Sequence, residues 1–172
     1  MFCGIHYVRP QVARLNPHVD YVQELLALRK IYACVQPQAR WNVIAQRLGQ
    51  SEIGPARLVT VVSAVEALAR SLLVHAQSGS AADTFAVYGK HKYKEPHVLI
   101  ESLLAHHRLP EPQTHFTEDT WPLFKHAVNF RNLVVHECTY LGQDKFPSLI
   151  AAAEEILDAL IELGGIRVNA HA

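Results

Sequence analysis

Cysteine is scarce in this chain of 172 residues: only Cys3, Cys34 and Cys138, an odd set without a CxxC pair. That argues against a disulfide framework or a zinc knuckle and predicts a reducing compartment. Net charge is absent too, since 16 Lys and Arg balance 16 Asp and Glu and the isoelectric point is about 7.2. No global field draws such a chain onto nucleic acid or an anionic membrane, so any binding of that kind must be local. No GxxxxGK(S/T), GxGxxG or GxSxG segment occurs, which leaves P-loop nucleotide hydrolysis, dinucleotide binding and serine hydrolysis without support. Histidine is plentiful at 11 residues, yet His97, His115 and His126 form no HExxH or His-x3-His pair. Neither a metal nor a cofactor is expected. Long uncharged apolar runs are missing as well. The most apolar stretch, residues 149–163, is interrupted by Glu154, Glu155, Asp158 and Glu162, and the N-terminus lacks a basic segment followed by an apolar core. No membrane span, no export signal and a cytoplasmic location are the expectations.

What the chain does have is apolar content, 49%, arranged with helical rather than strand periodicity. Residues 19–35 carry a stripe of Val22, Leu25, Leu26, Leu28 or Arg29, and Tyr32, with Asp20 near the start and Pro37 beyond the end. A short helix is predicted over residues 38–48 and the longest one over 55–77, apolar around much of its circumference and therefore central. The segment GKHKYKEP, residues 89–96, is predicted to be a loop before a helix over 97–106. Thr117 or Thr120 can cap a further helix running to about residue 140, with Leu123, Phe124, Ala127, Phe130, Val134 and Val135 facing a core. Pro147 opens the last helix and Gly164 with Gly165 closes it. The expected fold is all-α, an antiparallel four-helix bundle with extra N-terminal helices. Residues 1–50 form the N-terminal extension packed on the bundle, and 51–172 the bundle itself.

The penultimate helix carries FRNLVVHE, which sets Arg131 and His136 five residues apart with Asn132 directly after the arginine. A guanidinium that can hold a phosphate and an imidazole that moves protons near neutral pH are the minimal kit for cleaving RNA without a metal. Arg70 with His75 and Arg108 with His115 show comparable spacing. The first pair has only Ser71 as a polar partner after the arginine and a helix end soon after, and the second spans two prolines and is no helix motif. Residues five apart on a straight helix stand about 140° apart, whereas Asn132 and His136 share a face. A working site therefore needs Arg131 to reach in from the side, or groups from another subunit. Lys90, Lys92, Tyr93 and Lys94 make the only concentrated basic patch, where the lysines can meet phosphates while the ring stacks on an unpaired base. A solvated lysine loop is the plainer alternative. Glu66, inside the apolar central helix, either pairs with Arg70 four residues on or holds Arg131 or His136 in position.

RNLVVH resembles the mark of the HEPN superfamily, in which an arginine, a polar residue, a short spacer and a histidine lie on a late helix of a four-helix bundle. VSAVEALARSLL, residues 62–73, is similar to the early core helix of these domains, which often carries a lone acidic residue where Glu66 stands. The likeness covers roughly residues 56–163. It implies a homodimer whose facing helices build one composite site, RNA as substrate, Arg131 and His136 as catalytic residues with Asn132 assisting, and no metal. It further implies a toxin or defence ribonuclease, with an antitoxin or a nucleotidyltransferase as partner. Some relatives keep the bundle as a binding or scaffold module, so a non-catalytic RNA-, nucleotide- or protein-binding domain is the alternative.

Overall fold

The computed structural model describes residues 19–117, 119–139 and 142–168; the first 18 residues of the N-terminal extension lie outside them. Among the described residues the chain is all-α, without strands. Eight α-helices follow in order: α1 (Tyr21–Cys34), α2 (Pro37–Leu48), α3 (Gly54–Gln77), α4 (Thr84–His91), α5 (Pro96–His106), α6 (Pro112–His115), α7 (Thr120–Glu137) and α8 (Phe146–Leu163). A single 3-10 turn, Gln143–Lys145, precedes the last of them.

The centre of the molecule is α3, which packs against α2, α4, α5, α7 and α8. Leu58, Val61, Val62, Val65, Leu68, Ala69 and Leu73 are fully buried along it, each large one contributing roughly 1.5–3 kcal/mol on leaving water. By length and composition α3 could cross a membrane, yet most of its apolar stretch is buried inside the protein. Its apolar circumference is explained by neighbours on most sides. Trp121, Phe124, Phe146, Leu99, Ile100, Leu103 and Ile156 complete the core from α5, α7 and α8.

Four local features differ from the sequence expectation. The apolar stripe of α1 does not enter the core: Val22, Leu25, Leu26, Leu28 and Tyr32 are all 47–67% exposed, and only Ala33 is buried. Of the extension, α2 packs onto α3 through Trp41 and Ile44, whereas α1 lies against α4. Helix α4 begins before the predicted loop and includes Gly89, Lys90 and His91, because Thr84, Val87 and His91 form a buried face at i, i+3 and i+7. Helix α7 starts at Thr120 behind Asp119, and the Thr117 and Thr120 hydroxyls donate to Glu155 of α8 at 3.0 and 2.6 Å instead of capping. It stops at Cys138, whose left-handed backbone (φ 48°) ends the helix short of residue 140. Near that end Val135 is 49% exposed, having run past the edge of the core.

Candidate functional site

Helix α7 buries one face, Trp121, Phe124, Ala127 and Val128, against α3 and α8. Arg131 continues that face by helical periodicity and is carried toward α3. There its Nη2 donates to Glu66 Oε2 at 2.8 Å. The other oxygen of the same carboxylate, Oε1, accepts from Arg70 Nη2 at 2.5 Å. Glu66 thus does both things considered for it from sequence. It pairs along its own helix, and it ties α7 to α3. All three side chains are mostly covered, at 18%, 24% and 15% exposure for Arg131, Glu66 and Arg70.

Two guanidiniums share one carboxylate, so this half-buried cluster carries one net positive charge. Coulombic attraction there is stronger than at an open surface because less water screens it. Arg131 Nε is buried and has no hydrogen-bond partner among the described residues, while the side chain as a whole keeps 18% exposure. Arg70 also reaches the His91 carbonyl through Nε, at a long 3.4 Å.

His136 stands one and a half turns further along α7, exposed, with no hydrogen bond or ion pair among the described residues. Asn132 is half-buried and likewise without a side-chain partner. The roughly 140° between positions 131 and 136 puts Arg131 toward α3 and His136 toward solvent, so one chain does not bring the pair together. The outer surface beside His136 includes Leu133, 44% exposed.

At the other end of the ion-pair chain, Lys90 lies in the last turn of α4 and Lys92 and Tyr93 follow in a turn, all exposed, while Lys94 is half-buried. Lys92 Nζ sits 4.5 Å from the Tyr93 ring centroid, covering one face of that ring. No hydrogen bond or ion pair among the described residues joins this patch to Arg131, Asn132 or His136. Its link to them runs through the His91 carbonyl, Arg70 and Glu66. His75, the spaced partner of Arg70 in sequence, instead turns Nδ1 to the Ser71 carbonyl at 2.9 Å within its own helix. Arg40 is a residue that no motif singled out. It comes beside Arg70 only because α2 packs on α3, and a lone arginine in a short helix gives no sequence signal for that. No three His, Cys, Asp or Glu side chains cluster to hold a metal ion among the described residues.

Comparison with protein-family models, with curated proteins and with solved structures finds no match in any of the three.

Proposed function

We propose that the chain is a metal-independent endoribonuclease of HEPN type, acting as a homodimer in the cytoplasm in a toxin or defence role. In this reading α3, α5, α7 and α8 are the four-helix bundle, and α1 and α2 are its N-terminal addition. The observation that carries it is the arrangement on the last two turns of α7: a partly exposed guanidinium fixed by Glu66, and an unpartnered imidazole five residues on. His136 takes the ribose 2′-hydroxyl proton, and the freed oxygen attacks the adjacent phosphorus. The P–O5′ bond breaks as the protonated His136 returns its proton to O5′, giving a 2′,3′-cyclic phosphate and a 5′-hydroxyl. Arg131 bears the charge that builds on the phosphorane oxygens, and Asn132 orients the imidazole. Because the two groups diverge within one chain, His136 of one copy works with Arg131 of the other.

Purified protein incubated with total RNA in EDTA tests this. Cleavage with cyclic phosphate ends is expected, falling by roughly 10²–10⁴-fold in His136→Ala and by about 10²–10³-fold in Arg131→Ala. Undiminished cleavage in both variants rejects the assignment. A binding module without chemistry is the second reading, and one observation favours it: Glu66 holds Arg131 as a pin between α3 and α7 would. RNA bound but left uncut by the wild-type chain decides for that module.

A further inference from the structure

Arg40 and Arg70 face a common cavity of about 120 Å³ between α1, α2, α3 and α4, lined also by Tyr32, Ser71 and Tyr88. No Asp or Glu among the described residues lines it. Arg40 stacks on Tyr32, with its guanidinium carbon 5.0 Å from the ring centroid, and donates from Nη2 to the Tyr32 carbonyl. Its Nε is buried and has no hydrogen-bond partner among the described residues. Burial pushes the Arg40 guanidinium below its usual range; the phenols of Tyr32 and Tyr88 oppose that shift, and the charge of Arg70 adds to it. None of these influences is a carboxylate. Residues 1–18 contain no Asp or Glu in their sequence either. Around this point three guanidiniums, Arg40, Arg70 and Arg131, have one carboxylate, Glu66, among the described residues paired with any of them.

A half-buried cation without a counter-ion is costly, and capping the end of α1 uses only one of the five donors of Arg40. We propose that Arg40 and Arg70 form a binding site for a phosphoryl group carried on a nucleotide or an RNA strand. Guanidinium donors from two arginines lining one cavity suit an anion with three or four oxygens and up to two negative charges better than a carboxylate. The cavity takes the phosphoryl group between the two arginines, and the rest of the ligand lies beside Tyr88 and the half-exposed Tyr32. Glu66 competes with the ligand for Arg70, and its other oxygen holds Arg131. Occupancy of the cavity is therefore felt at α7. Binding itself does not rest on the cleavage reading; only its consequence for Arg131 does.

The test uses the full chain carrying His136→Ala, so that an RNA probe stays intact, titrated calorimetrically at low salt with inorganic phosphate, AMP and a short RNA oligonucleotide. Saturable binding of phosphate and AMP is expected, weakened about tenfold or more by Arg40→Gln and less by Arg40→Lys. Glu66→Gln should tighten phosphate roughly threefold to tenfold by removing the competing negative charge. AMP binding as tightly as the oligonucleotide marks a free nucleotide as the natural source; tighter oligonucleotide binding marks the RNA backbone. Absence of binding by all three probes overturns the site, as does unchanged affinity in Arg40→Gln. Should circular dichroism show that Arg40→Gln does not fold, Glu66→Gln decides, and phosphate affinity that stays level or falls there also overturns it.

Discussion

His91 ends α4 with its ring buried, Nε2 lying 2.8 Å from Gln77 Oε1 and Nδ1 without a hydrogen-bond partner among the described residues. Burial first, then the nearby charges of Lys94, Lys90 and Arg70, lower its pKa from the ordinary 6.5. The unfolded chain therefore binds a proton on this residue at a pH where the folded chain refuses it. Stability from the neutral ring is complete above the unfolded value and is lost as pH falls from 6.5 toward the depressed folded value. Urea unfolding midpoints should thus be lower at about pH 5.5 than at about pH 7.5, and His91→Gln should flatten that difference. An equally steep pH dependence in the variant would assign the effect to other groups. At this scale the sequence shows a histidine inside a lysine-rich segment, read there as part of a solvated loop. Its burial is set by the helical turn of α4 packing on α3, and no property of residues 89–96 alone signals that contact.

Among elements, the α7–α8 connection is the most sharply specified. Gly142 sits at φ 78°, and a Cβ there would lie 2.8 Å from Phe130 Cε1. Phe130 in turn packs edge-to-face on Phe146, with centroids 6.4 Å apart. Gly142→Ala meets both a disfavoured backbone region and a ring that is itself wedged, so a loss of about 1–3 kcal/mol is expected in chemical denaturation. Helices α3, α5 and α8 were legible in the sequence, because their apolar periodicity is long and their ends carry proline or glycine. The end of α7 was not, since Cys138 adopts the left-handed conformation without the glycine that usually marks it. Nor was the fate of α1. An apolar stripe shows that a helix can bury a face, not that its own chain supplies the partner. The candidate site divides the same way. Arg131, Asn132 and His136 stand together in sequence as one short motif, whereas Arg40 and Arg70 are 30 positions apart and meet only through the packing of α2 on α3.

At the scale of the molecule, the divergence of Arg131 and His136 around α7 decides how the proposed cleavage would depend on assembly. The exposed end of that helix offers Leu133 and Val135, 44% and 49% exposed, beside His136, an apolar rim for a second α7. Wild-type protein is then expected to sediment at twice the 19.3 kDa of one chain. Each single variant, Arg131→Ala or His136→Ala, forms a dimer in which both sites lack one group. Mixing the two and letting subunits exchange makes half of the dimers mixed, and each mixed dimer holds one site with the arginine of one copy and the histidine of the other. About a quarter of wild-type cleavage should return in the mixture. A site closed within each protomer recovers nothing on mixing, because every chain in the mixture still lacks one of its own groups. Monomeric sedimentation, or mixing without recovery alongside active wild-type protein, would therefore remove the second copy from the mechanism and require Arg131 to leave Glu66 and swing around its own helix.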